Sequence, residues 1–197
     1  MRDDARLPRM TEDDLEELYA RARSPKKHRT AAAQLVALAE DEQPSDAEVS
    51  PAALLVSAGE HLSAAGDHEA AVELFRRAAS SRGHVPPDVR CYLHHGLLEV
   101  GDLDGAHRIA DELRREGPVD GDVYLFIGED YELADDFHEA HRWFTRGVLR
   151  SVTRAEDGDE DVSGDAAVLI IARSRVRRSL GLPMDEYDEL VATAREE

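Results

Sequence analysis

The stretch Tyr124-Leu125-Phe126-Ile127-Gly128-Glu129-Asp130-Tyr131, followed by Ala140-His141-Arg142-Trp143-Phe144, decides the fold of this chain. Gly128 and Ala140 are small residues of the kind needed where two helices cross closely. Tyr124, Ile127, Tyr131 and Phe144 are the large residues that fill the space around such a crossing. The same order of small and large residues occurs at Leu55, Ala58, Gly59 and Leu62, then Ala71, Phe75 and Ala78. An altered copy lies between them, at Arg90, Leu93, His94 and Leu97, then Ala106, Ala110 and Leu113, closed by Pro118. Turn marks precede the second half of each copy: Gly66-Asp67, Gly101-Asp102 and Asp135-Asp136, at intervals of 35 and 34 residues. A period of this length predicts a stack of helical hairpins, because one amphipathic hairpin cannot bury its apolar face without a neighbour.

These units resemble the tetratricopeptide repeat (TPR) family, in three copies over about residues 52–154. The resemblance implies an all-α fold, an α-solenoid of antiparallel helical hairpins wound into a right-handed superhelix. It also implies that the first helix of each unit lines a concave groove. The middle copy departs from the family pattern, with His94 where Gly or Ala is usual and Ala110 where an aromatic is usual. The two changes are opposite in volume, the combination a core tolerates better than either alone.

The rest of the chain extends the pattern to about ten helices. Residues 1–10 read as a flexible leader. Residues 11–50 read as an N-terminal helical hairpin and an acidic loop, opened by a capping-box-like Thr11-Glu12-Asp13-Asp14 and interrupted at Pro25. Its second helix, about 26–40, is expected to bury Ala32, Leu35, Val36 and Leu38. Ser50-Pro51 supplies an N-cap and a first-turn proline for the repeats at 51–154. An acidic loop over 155–163 precedes a C-terminal capping pair at 164–197. Its first helix carries Val168, Leu169, Ile170, Ile171 and Val176, and its last carries Tyr187, Leu190 and Val191.

Composition narrows the function classes. At 197 residues the chain can bury a sizeable core without a metal or disulfide, and the single Cys91 excludes an internal bridge. The net charge of −19 argues against nucleic acid and anionic membrane as partners, since both need a basic surface. It suits basic or neutral partners. A charged start without an apolar run, and no stretch long enough to span a bilayer, make cytoplasmic residence the expectation.

No residue set argues for a reaction. Cys91, His94 and His95 lack the second ligand pair that a structural zinc needs, so the reading is a buried small Cys91, a packed His94 and a His95 facing the groove. His138-Glu139-Ala140-His141 is one residue short of the zinc-protease helix motif. Asp157, Asp159 and Asp161 resemble a calcium loop, but Val162 and Val168 stand where its glycine and closing glutamate belong. No metal, cofactor or catalytic residue is expected, and the chain is not read as an enzyme. Arg142, Arg146, Arg150 and Arg154 recur every fourth residue, and Arg173, Arg175, Arg177 and Arg178 lie on the next helix. Arg146, Arg150, Arg173 and Arg177 form a candidate anion patch, against the plainer reading of ordinary ion pairing.

The resemblance places Val56, Glu60, Tyr92, His95, Glu99, Asp122, Phe126 and Glu129 in the groove. Chaperone-binding members of the family clamp a terminal carboxylate with basic residues there. Here the matching positions carry Val56, Glu60, Tyr92, Asp122 and Phe126, so that clamp is absent. An apolar and acidic groove suits a peptide or helix with hydrophobic anchors and Lys or Arg. The expected function is a scaffold or regulatory adaptor; the alternative is a small-ligand or signal-peptide sensor using the same groove. Trp143 is a separate candidate anchor, weighed against simple packing on the following helix.

Overall fold

The glycine and aspartate turn marks close helices by a shared backbone device. The structure is a computed structural model that describes residues 10–41, 48–158 and 162–193. Gly66, Gly101 and Asp135 have φ of 81°, 77° and 60°. In each case the marked residue's N–H donates to a carbonyl three residues back. The next N–H reaches five residues back: Asp67 to Leu62 at 2.9 Å, Asp102 to Leu97 at 2.9 Å, Asp136 to Tyr131 at 2.8 Å. This is the Schellman closure, which satisfies carbonyls left over at a helix C-terminus and needs one left-handed residue. Gly181, with φ 64°, repeats it through Leu182 and Arg177.

Ten helices, and no strand, lie among the described residues: α1 Glu12–Arg21, α2 Pro25–Glu40, α3 Pro51–Ala64, α4 His68–Ala79, α5 Val89–Glu99, α6 Leu103–Glu116, α7 Gly121–Leu133, α8 Phe137–Glu156, α9 Val162–Ser179 and α10 Glu186–Thr193. The fold is all-α and built of antiparallel helical hairpins. The helix starts follow side-chain chemistry. Thr11 and Asp14 form a reciprocal capping box. Ser24 and Ser50 accept from backbone N–H groups of α2 and α3, each followed by proline in the first turn. Pro25 thus begins α2, whereas α1 already closes at Arg21 with Ala22 as its C-cap. Asp88, Asp120 and Asp136 cap α5, α7 and α8.

The chain forms two compact units, Met1–Asp102 and Leu103–Glu197, so the boundary falls between the two helices of the middle copy. In the first unit α2 packs on α3, α3 on α4 and α4 on α5. Gly59 lets α3 meet α4: a Cβ there would stand 2.3 Å from Phe75 Cε1. The second unit has the same device, where a Cβ on Gly128 would stand 2.3 Å from Phe144 Cε1. Gly147 is a further close approach, where an added Cβ would stand 2.8 Å from Tyr124 Cβ and 2.9 Å from Leu169. Two tyrosines tie helix starts to the preceding turns: Tyr92 Oη donates to the Pro86 carbonyl at 2.9 Å, and Tyr124 Oη to that of Pro118 at 3.0 Å.

Some elements differ from expectation. In α2, His28 and Ala31 are buried with Ala32 and Leu35, while Val36 and Leu38 are half-buried. In α9 the buried apolar side chains are Leu169, Ala172 and Val176, whereas Val168 and Ile171 are 48% and 45% exposed. Helical period explains this, since residues 169, 172 and 176 share a face that 168 and 171 do not. Helix α8 runs through Glu156 into the expected acidic loop. Residues 1–9 of the expected leader, 42–47 of the first acidic loop and 159–161 of the second lie outside the described residues.

Candidate functional site

The groove residues divide between the units. In the first unit they come from α3 and α5, neighbours across the start of α4. Val56 is 3% exposed, which corrects its place in the expected groove: α3 is covered by both α2 and α4, and Val56 belongs to the core between them. Glu60 lies on the exposed face of α3. It reaches solvent but sits among low-dielectric protein, and this desolvation, partly offset by the charge of His95, pushes its carboxyl up to about 7. Tyr92, half-buried on α5, has its hydroxyl raised to about 12 by burial and by the nearby Glu60 charge.

One turn along, Glu99 gathers three polar side chains. Ser63 Oγ donates to Glu99 Oε2 at 2.9 Å. His68 Nδ1 lies 3.0 Å from Oε2, and His95 Nε2 lies 3.8 Å from Oε1. The result is a continuous polar face with Glu60 and Glu99 as its charges, Tyr92 and His95 between them, and His68 at the start of α4. Cys91 and His94, on the same helix, point away and are fully buried. Among the described residues no group of three or more His, Cys, Asp or Glu is placed to hold a metal ion.

In the second unit the expected residues lie on α7. Asp122 and Glu129 are exposed and Phe126 is half-buried. Desolvation raises the Glu129 carboxyl above its ordinary value, opposed by Arg175, whose Nη2 lies 3.8 Å away. Arg175 is held chiefly by Glu132, at 2.6 Å and 2.7 Å. Trp143 is 1% exposed, beneath the Arg114 guanidinium and beside Tyr124, so it is a core residue and no partner anchor.

The four arginines of the anion patch are employed differently. Arg146 and Arg150 are exposed on α8 and exert their charge on the Tyr124 hydroxyl. Arg173 and Arg177 are buried and already hold carboxylates. Arg173 grips Asp185 at 2.6 Å and 3.1 Å, and Arg177 Nε meets Asp188 at 2.9 Å. The side chains of Asp185 and Asp188 exchange hydrogen bonds with each other's backbone N–H, at 3.1 Å and 3.2 Å. That pair of arginines fastens α10 to α9 and is corrected from ligand site to structural clamp. The clamp was not visible beforehand because Asp185 and Asp188 lie beyond Gly181-Leu182-Pro183, and only the turn there brings them back over α9.

A second cluster escaped sequence reading. His28 Nδ1 lies 2.8 Å from His61 Nδ1, both rings buried, with Tyr19 against each at centroid distances of 5.3 Å and 5.0 Å. One imidazole must donate and the other accept, so both cannot be protonated there. Burial and the neighbouring His28 hold His61 down to about 4. The pair joins α1, α2 and α3.

No family model matches the chain, and no curated protein matches it. Among solved structures, MamA AMB-1 is similar over 86% of this chain and 85% of its own, at 17% identity and a TM-score of 0.43. A likeness at that level adds nothing to what the helices themselves show. No helix among the described residues is long and apolar enough to cross a membrane.

Proposed function

We propose that this chain is a TPR-like interaction module, a scaffold or adaptor that receives a basic or apolar segment of another protein on the face of α3 and α5. The observation that carries this reading is the face formed by Glu60, Tyr92, His95 and Glu99. Two carboxylates flank a half-buried aromatic ring and an imidazole on adjoining helices. A Lys or Arg side chain meets there a preorganised pair of acceptors, and the tyrosine ring offers the apolar contact that interface anchors favour. Glu60 adds a pH signature. A bound cation favours its ionised form, so binding releases a proton and strengthens as pH rises through about 7.

The test is affinity capture from a lysate and titration with a Lys- and Leu-containing helical peptide, comparing the protein with Tyr92→Ala/Glu99→Ala. Loss of the captured partners, with helicity retained by circular dichroism, is the expected result. Unaltered capture by the double variant removes the groove from consideration.

A further inference from the structure

The only lysines of the chain, Lys26 and Lys27, stand beside a cleft that the groove reading does not use. Residues 18–39 contain no Asp or Glu, although the chain has 43 of them, and carry Arg21, Arg23, Lys26, Lys27 and Arg29. Where α1 turns into α2, a cleft of about 540 Å³ opens over Leu18, Ala22 and Ala31, with Arg21, Lys26 and Lys27 at its rim. Ala22 and Ala31 are 7% and 3% exposed and form its floor. Thr30 and Gln34 make the wall.

The local carboxylates leave the rim largely unneutralised. Glu17 pairs with Arg21 one turn away, an exposed contact of the kind worth a few tenths of a kcal/mol. Asp67 is taken by Arg29, at 2.6 Å and 2.8 Å. Neither lysine makes an ion pair among the described residues. An apolar floor under a cationic rim, in a protein of net charge −19, is a local inversion of the molecule's field.

We propose that the α1–α2 cleft is a second docking site, taking an acidic segment of a partner protein through one bulky apolar side chain flanked by carboxylates. The apolar side chain covers Leu18, Ala22 and Ala31, and the carboxylates meet Lys26, Lys27 and Arg21. The cleft is open along one side, so it seats a side chain projecting from a larger partner and does not enclose a free small molecule. Its charge preference is opposite to that of the Glu60–Glu99 face, and the two sites therefore take different segments.

The test uses the full chain and a fluorescein-labelled Glu-Asp-Leu-Phe-Glu-Asp peptide, followed by fluorescence polarisation at low salt. Binding is expected to weaken about tenfold in Lys26→Glu/Lys27→Glu and on raising salt to where exposed charges are screened. Thr30→Trp, which fills the cleft and keeps the charges, is expected to weaken it as much. Circular dichroism confirms folding of each variant. The proposal fails if the peptide does not bind, or if both variants bind it like the parent protein. It also fails if a Glu-Asp-Ser-Ser-Glu-Asp peptide binds equally, or if inorganic phosphate at the peptide's own concentration displaces it, since either marks a site for charge alone.

Discussion

Asp135 shows how much one backbone angle weighs. It holds φ 60° at the turn where Gly66 and Gly101 stand in the other copies, and it is the one non-glycine residue with positive φ among those described. An L-residue in that region costs about 1–2 kcal/mol, less for Asp, which tolerates it better than most. Asp135→Gly is therefore expected to raise stability by about 0.5 kcal/mol, and Asp135→Val to lower it by about 2 kcal/mol, both by urea denaturation monitored at 222 nm. Gly128 is governed by space instead of φ. Alanine would favour the helix by about 1 kcal/mol, but its Cβ would meet a Phe144 ring that is fully buried and cannot retreat. Gly128→Ala is expected to destabilise by about 1–3 kcal/mol, and Phe144→Leu in the same chain to recover part of the loss, a coupling that a double-mutant cycle measures. Both positions were legible from spacing, since Gly59–Phe75 and Gly128–Phe144 share one interval and one job. The left-handed angle at Asp135 was not, because the aspartate masks what the glycines declare.

At the scale of elements, α10 hangs on four charges. Arg177 and Asp188 are both buried, and removing one partner strands the other. Arg177→Ala is expected to destabilise the second unit by about 3 kcal/mol and to raise amide exchange first in α10. Acid should act on the same clamp. Hydrogen bonding from Arg173 holds the Asp185 carboxyl down to about 2, against 3.8 ordinarily. A carboxylate depressed in the folded state contributes stability that is present above pH 3.8 and lost as pH falls through 2. Exchange measured between pH 5 and pH 2.5 should therefore show α10 loosening at the low end; uniform loss across α6–α10 would mean that the clamp is not what yields. Elements were read from sequence by period and punctuation, which speak of each helix alone. The partners of Arg177 and His28 lie in other helices and that of Arg173 in the turn before α10, at distances no motif encodes, so charge was visible and its recipient was not.

For the whole molecule, pH sets opposing terms in one window. His61, neutral and buried, has its pKa lowered from 6.5 to about 4, so the stability it represents is present above pH 6.5 and lost as pH falls toward 4. Glu60 runs the other way. Its carboxyl is raised from 4.5 to about 7, so its ionisation penalises the folded state fully above pH 7, and stability is regained as pH falls toward 4.5. The net charge of −19 adds self-repulsion that acid and salt both relieve. Between pH 7 and pH 4.5 the protein should therefore change little in melting temperature, although both groups titrate. Separating them exposes the balance. Glu60→Gln should raise the melting temperature at pH 8, and its advantage over the parent should shrink with acidification, because the regain that Glu60 supplies to the parent is absent from the variant. The expected signature is convergence of the Glu60→Gln and parent melting curves as pH falls from 8 to 4.5. A constant difference between them across that range would show that Glu60 ionises on the α3 face as freely as it does in the unfolded chain, and would remove the pH dependence proposed for partner binding there.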